Sequence, residues 1–133
     1  MDNNLLKLKI IKAFLWITGI ILFFWWPLSH WFYPDFYHRL LGFETGTYQD
    51  SMVKVIGTTG IVPVLLIIFS ALDPIKNKFM IITLIVFSFL MIFTYLFLIL
   101  TGQFPELEYI NAGLLLFFAT FLIFFYPWKY VKL

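Results

Sequence analysis

Four long apolar runs constrain this chain more than any other feature of its sequence. They cover residues 13–28, 55–72, 79–100 and 110–126, and none contains an acidic residue, a basic residue or a histidine. A helix needs about 20 apolar residues, in a range of about 17–25, to cross the hydrocarbon core of a bilayer. Lipid leaves helices as the only solution here, because the strands of a membrane barrel would alternate apolar and polar residues. The runs therefore predict four transmembrane helices.

Composition supports a membrane protein. The chain is 62% hydrophobic and 12% charged, whereas soluble domains average roughly 45–50% apolar and about 25% charged residues. We predict a single membrane domain over residues 1–133, folded as an all-α, antiparallel bundle of four transmembrane helices. The expected spans are about 13–30, 53–72, 79–100 and 109–127. The first run is short, so we expect Lys12 to snorkel and the helix to continue past Leu28.

Basic residues are distributed unevenly around the four runs. Seven lie before the first run, between the second and third, or after the fourth, and two lie on the opposite side. The seven are Lys7, Lys9, Lys12, Lys76, Lys78, Lys129 and Lys132, and the two are Arg39 and Lys54. Basic loops stay in the cytoplasm. We therefore predict a multi-pass protein of the cytoplasmic membrane with both termini in the cytoplasm.

The stretch "YPDFYHRLLGFETGTYQD", residues 33–50, interrupts the apolar pattern. Pro34 suits the first position of a helix, Asp35 suits the positive end of the helix dipole, and Gly42 suits a helix stop. The stretch therefore predicts a short helix over 34–41. Asp35 and Arg39 stand at the favourable four-residue spacing. Its apolar and charged sides predict a helix that lies at the outer membrane interface or caps the bundle.

Two segments, "WFYPDFYHRLLGF" and "MVKVIGTTGIVPVLLIIFSALDPIKN", resemble the DoxX-like family of small four-helix membrane proteins. The resemblance covers roughly the first 80 residues, and His38 departs from it by separating the tyrosine from the arginine. It implies the four-helix fold, and in some members an association with membrane oxidoreductase complexes or, in an animal branch, with receptor assembly. The matching positions are Pro34, Phe36, Tyr37, Arg39, Leu41, Gly42, Gly57, Gly60, Asp73, Pro74 and Asn77.

Several kinds of chemistry are disfavoured by what the sequence lacks. The apolar runs hold no ionisable group, whereas ion pathways and proton relays need such groups inside the membrane. Cysteine is absent, which excludes disulfides and thiolate chemistry. His30 and His38 flank Asp35, but no third strong ligand stands at a diagnostic spacing, so we expect no metal site, no cofactor and no catalytic residue.

Asp73 is expected to cap the helical segment that Pro74 begins.

Small residues in the second run indicate close helix packing. Gly57 and Gly60, with Thr58 and Thr59 between them, let a neighbouring helix approach. Pro63 is expected to kink the same helix.

Two functions remain open. The first is a non-catalytic accessory or partner-binding subunit of a membrane complex, which contacts another membrane protein or a second copy of itself within the lipid bilayer; nucleic acid is not expected. The second is a small membrane enzyme or carrier for an apolar ligand such as a quinone or a lipid. For either function, the candidate binding residues are Asp35, Tyr37, His38, Arg39, Glu44, Glu106 and Glu108.

Overall fold

The computed structural model describes residues 3–44, 50–126 and 128, and all regular structure within them is helical. The α-helices are α1 (Asn3–Phe23), α2 (Ser29–Phe32), α3 (Pro34–Leu40), α4 (Asp50–Thr59), α5 (Ile61–Leu72), α6 (Lys78–Leu100) and α7 (Tyr109–Phe125). A π-helical turn, Phe24–Leu28, joins α1 to α2, and a 3-10 turn, Glu106–Glu108, precedes α7.

Four helical segments are long and apolar enough to cross a membrane, as predicted for a multi-pass membrane protein. They are Asn4–Phe32, Ser51–Leu72, Lys78–Leu100 and Glu106–Phe125. The first begins well before the expected residue 13. Lys7, Lys9 and Lys12 do not interrupt it, because lysine is a good helix former and its long stem carries the charge towards water.

The first segment changes its winding at Pro27. Proline has no N–H and cannot continue the ordinary hydrogen-bond ladder, and the helix widens there into the π-helical turn. The Ser29 hydroxyl donates to the carbonyl oxygens of Trp25 and Trp26, at 2.6 and 3.1 Å. His30 Nδ1 lies 2.8 Å from the Trp26 carbonyl oxygen. The Trp26 carbonyl also accepts a hydrogen bond from the backbone amide of Ser29, so the side chains of Ser29 and His30 add to the backbone hydrogen bonding of this turn.

The second segment is interrupted at Gly60, between α4 and α5. Pro63 follows three residues later and supplies no N–H to the carbonyl of Thr59. The Thr59 hydroxyl donates to the carbonyl oxygen of Ile56 at 2.7 Å. The break between α4 and α5 therefore lies one turn before Pro63, and the kink expected at Pro63 itself stays a prediction.

All four long segments contribute to one apolar core. Helix α1 contacts α5, α5 contacts α6, and α6 contacts α7. The buried core residues are Ile11, Leu15, Ile67, Ala71, Ile81, Leu84, Phe118, Leu122 and Tyr126. The Tyr126 hydroxyl donates to the carbonyl oxygen of Pro74 at 2.9 Å, which ties the end of α7 to the turn between α5 and α6.

That turn marks what we call the Asp73 end of the molecule, where α1 begins and α5 ends. Asp73 Oδ1 accepts hydrogen bonds from the amides of Ile75 and Lys76, at 3.2 and 3.1 Å. Asp73 thus caps a hydrogen-bonded turn rather than the helix itself, because α6 begins only at Lys78. The opposite end, where α6 ends and α7 begins, is called the Glu108 end.

The short helix predicted over 34–41 is present as α3. Gly42 follows it with φ +84°, a left-handed conformation that favours glycine. A Cβ on Gly42 would lie 3.2 Å from Leu107 Cδ1 and 3.3 Å from Pro105 Cβ. Gly42 therefore both stops α3 and lets the chain pass close to the loop before α7.

Candidate functional site

Polar and aromatic side chains from four parts of the chain meet at the Glu108 end. We call them the Glu108 cluster, and its members are Trp25, His30, Tyr37, His38, Tyr95, Glu108 and Asn111. The π-helical turn, α2, α3, the end of α6, the 3-10 turn and the start of α7 all contribute.

Glu108 is the most enclosed charged group of the cluster, with only 3% of its surface exposed. Asn111 Nδ2 donates to Glu108 Oε2 at 2.6 Å. Trp25 Nε1 donates to Asn111 Oδ1 at 3.2 Å. This chain of two hydrogen bonds connects the π-helical turn to the start of α7 and gives the buried carboxyl group a polar partner, without which burial would be costly.

Tyr37 belongs to α3, and its ring contacts two other members of the cluster. Its ring centroid is 5.3 Å from that of Trp25 and 4.7 Å from that of His30. Burial raises the pKa of the Tyr37 phenol well above its usual value, and the nearby Tyr95 and Glu108 raise that pKa further. Tyr37 is therefore a neutral phenol at physiological pH, able to donate one hydrogen bond.

His30 is held by the backbone of the turn before it. Its Nδ1 lies 2.8 Å from the Trp26 carbonyl oxygen. A carbonyl oxygen only accepts hydrogen bonds, so Nδ1 carries a hydrogen, and in the neutral ring the lone pair is on Nε2. The contact fixes both the tautomer and the direction of the ring.

His38 joins α3 to the cluster. Its ring centroid lies 5.6 Å from that of His30 and 5.6 Å from that of Phe43. Burial lowers the pKa of His38 below its usual value of 6.5, and Asp35 offsets part of that shift. His38 is thus mainly neutral near pH 7.

Two glycines bring α4 against the same region. A Cβ on Gly57 would lie 2.8 Å from His30 Cβ and 3.2 Å from the Pro27 carbonyl oxygen. A Cβ on Gly60 would lie 2.7 to 2.9 Å from three ring atoms of Trp26. Both glycines therefore permit a backbone approach that supports the π-helical turn and, through it, His30.

The candidate residues predicted from the sequence divide into two groups. Tyr37, His38 and Glu108 belong to the cluster, whereas Asp35, Arg39, Glu44 and Glu106 are exposed. The two acids of the last loop differ: Glu108 is buried and accepts a hydrogen bond from Asn111, whereas Glu106 is exposed.

The hypothesis of a small membrane enzyme also predicts Glu44 and Asp50 at the outer mouth of the bundle with His38. Glu44 is exposed and His38 is half-buried. Residues 45–49 and the side chain of Asp50 lie outside the described residues. Arg39 Nε donates to the carbonyl oxygen of Asp35 at 3.3 Å, so both residues of the predicted pair are held on α3.

Trp25, His30 and Asn111 are not among the binding residues predicted from the sequence. The three-residue spacing from Glu108 to Asn111, at the start of a helix, is the one local signal that the two side chains share a face. The other contacts join residues far apart in the chain. No local pattern indicates them.

The described residues hold no group of three or more histidine, aspartate or glutamate side chains arranged to bind a metal ion. Two surface grooves of about 300 and 320 Å³ are present, and no residue of the Glu108 cluster lines either of them. His30, Tyr37, Glu108 and Asn111 are buried, and the described hydrogen bonds of the cluster run within the protein.

Comparison with known proteins finds no match: no family model, no characterised protein and no solved structure matches this chain.

Proposed function

We propose that this protein is a non-catalytic integral membrane protein that binds a partner through its Glu108 end, as an accessory subunit of a membrane complex. The partner is another membrane protein or a second copy of this chain. The proposal includes an antiparallel four-helix bundle in the cytoplasmic membrane, with both termini in the cytoplasm. The resemblance to the DoxX-like family, which rests on residues of the first loop and the second span, favours the same architecture.

One observation carries the proposal, namely the contrast between enclosed and exposed charges at the Glu108 end. Glu108 is enclosed and hydrogen-bonded within the protein, whereas Asp35, Arg39 and Glu106 are exposed. A catalytic carboxyl group must reach its substrate, but a group satisfied by Asn111 and bordering neither groove is better suited to holding helices together. The exposed side chains of Asp35, Arg39 and Glu106 lie where a polar partner can reach them.

The exposed side of α3 supports an interfacial position for this helix. Phe36 and Leu40 stand four residues apart and are exposed, while Tyr37 and Leu41 on the other side are buried. Trp31 and Tyr33, just before α3, are exposed as well, and tryptophan and tyrosine favour the headgroup layer. A helix that lies flat on the outer leaflet would present Asp35 and Arg39 to a partner outside the lipid.

Substitution of the three exposed charges tests this proposal. The variant Asp35→Ala, Arg39→Ala, Glu106→Ala is compared with the wild type for co-purification of a second polypeptide from the native membrane. The matched control is Lys76→Ala, which removes an exposed charge at the Asp73 end. We expect the triple variant to lose the partner and the control to keep it. Unchanged co-purification by the triple variant would show that this surface is not the binding site.

A small membrane enzyme or carrier for an apolar ligand is the second candidate. It is favoured by the buried carboxyl group of Glu108 beside two phenols, Tyr37 and Tyr95, since a few polar groups in an apolar setting can orient a quinone or a similar ligand. This function predicts a small molecule that co-purifies with the wild type and is lost in the Glu108→Gln variant. Equal retention by the wild type and the variant would rule out this function.

A further inference from the structure

The two surface grooves lie between the same two helices, α1 and α5. The first, of about 300 Å³, is at the Asp73 end and is bordered by Lys9 and Lys12 of α1 and by the residues that follow α5. The second, of about 320 Å³, has an entirely apolar lining and lies further along the same helix pair. We call them the charged groove and the apolar groove.

The lining residues of both grooves form one continuous stripe on each helix. On α1 the stripe runs through Leu5, Leu8, Lys12, Trp16, Gly19 and Phe23. On α5 it runs through Ile61, Leu65, Ile68 and Leu72. Successive members are three or four residues apart, which places them on one face of each helix. The two grooves are therefore parts of a single seam.

Charge is concentrated at one end of this seam. Lys9 and Lys12 are exposed and border the charged groove. Its one carboxylate, Asp73, accepts two backbone amides and lies 3.7 Å from Lys76 Nζ. Lys12 Nζ also donates to the Leu72 carbonyl oxygen at 3.3 Å, which fixes one ammonium group at the end of α5. The end of the seam is thus a cationic site beside apolar walls.

The dimensions of the seam match those of one lipid leaflet. Seven residues separate Lys12 from Gly19, which corresponds to about 10 Å along a helix. Half of the hydrocarbon core is about 15 Å thick. A phosphate bound at Lys12 would therefore place its acyl chain alongside Trp16 and Gly19, inside the apolar groove.

We propose that the seam between α1 and α5 binds one anionic phospholipid, with its phosphate at Lys9 and Lys12 and an acyl chain in the apolar groove. Basic residues next to spanning helices bind anionic headgroups, and the apolar wall favours a lipid over a free anion. The site lies at the opposite end from Asp35, Arg39 and Glu106, so it does not depend on the proposed partner surface.

Lipid retention tests the headgroup part of the proposal. The full chain is reconstituted with equal amounts of phosphatidylglycerol and phosphatidylcholine of identical acyl chains, and retained lipid is measured by native mass spectrometry. We expect phosphatidylglycerol to be retained preferentially. That preference should fall on the order of fivefold in Lys9→Gln and on the order of twenty-five-fold in Lys9→Gln, Lys12→Gln. Lys78→Gln, which removes a charge at the same end outside the groove, should keep it.

Three results would overturn the headgroup part. These are equal retention of the two lipids by the wild type, an equal loss of preference in Lys78→Gln and in the double variant, or displacement of the lipid by inorganic phosphate, which would indicate a free-anion site. Lys9→Gln leaves the contact between Lys12 and Leu72 intact, so a fall in preference in this variant is not caused by loss of that contact.

The acyl-chain part is tested by Leu65→Trp, which fills the apolar groove from a position that is exposed to lipid. We expect total phospholipid retention to fall severalfold while the preference for phosphatidylglycerol is kept. Unchanged retention in Leu65→Trp would show that no acyl chain occupies the groove. The readout is bound lipid rather than a bound polypeptide, so failure here is distinct from failure of the partner proposal.

Discussion

Asn111 Nδ2 lies 2.6 Å from Glu108 Oε2, and this hydrogen bond satisfies a carboxyl group that is almost completely buried. The same asparagine accepts a hydrogen bond from Trp25 Nε1, a residue 86 positions away in the chain. The hydrogen bond between Trp25 and Asn111 therefore connects the first spanning segment to the last at the Glu108 end.

Removal of the Glu108 carboxyl group should destabilise the protein. Glu108→Ala leaves the buried amide of Asn111 without its acceptor, which costs about 1–3 kcal/mol. Glu106→Ala is the matched control, because Glu106 is exposed two residues away and its loss should change stability by less than about 0.5 kcal/mol. Thermal unfolding in detergent measures both. Equal melting temperatures for the two variants would contradict the structural role of Glu108.

A methyl group at Gly60 should disturb the contact between α4 and the π-helical turn. Its Cβ would lie 2.7 Å from the Trp26 ring, so Gly60→Ala should destabilise the protein by about 1–3 kcal/mol through overpacking. Gly113→Ala is the control, since a Cβ there meets no atom within 4 Å, and alanine is the better helix former. We expect Gly113→Ala to be neutral or stabilising. The opposite order of melting temperatures would rule out this packing.

His38 should make stability depend on pH. Burial lowers its pKa in the folded state, so the unfolded chain binds the proton more readily. The resulting contribution to stability is present above pH 6.5 and is lost as the pH falls from 6.5 through the lower folded pKa. An NMR titration of the His38 ring should give a midpoint below 6.5. Asp35→Asn should lower that midpoint further, because Asp35 raises the pKa. A midpoint at or above 6.5 would contradict the burial of His38.

Opposite ends of the molecule should be accessible from opposite sides of the membrane. The chain has no cysteine, so single cysteines report without a background. Glu106→Cys should react with a membrane-impermeant thiol reagent in intact cells, and Lys76→Cys should react only after the cells are opened, because basic loops stay in the cytoplasm. The reverse pattern would invert the proposed orientation.

The spanning helices and α3 could be predicted from sequence because their signals are local. Each apolar run indicates its own helix, and Pro34, Asp35 and Gly42 indicate the limits of α3. Lys7, Lys9 and Lys12 precede the first apolar run but lie within α1, so the helix extends beyond the start of the span predicted from residue 13. Charge marks the limit of the hydrocarbon, not of the helix.

The Glu108 cluster could not be predicted because its contacts are long-range. In "PELEY" the two acids look equivalent, and nothing local indicates that Glu108 is the buried one or that Trp25 of the first span contacts both Asn111 and Tyr37. The same holds for the seam between α1 and α5. Lys9 and Lys12 indicate an interfacial segment in the sequence, but the groove that they border also needs Leu72 and Asp73.

Native mass spectrometry of the wild-type protein, extracted gently from its own membrane, tests the central claim most directly. It detects bound polypeptides and bound small molecules in one experiment. We expect a second polypeptide at a fixed stoichiometry, either another membrane protein or a further copy of this chain, together with retained phospholipid. A single chain with no polypeptide partner would contradict the claim that the protein acts as a partner-binding subunit.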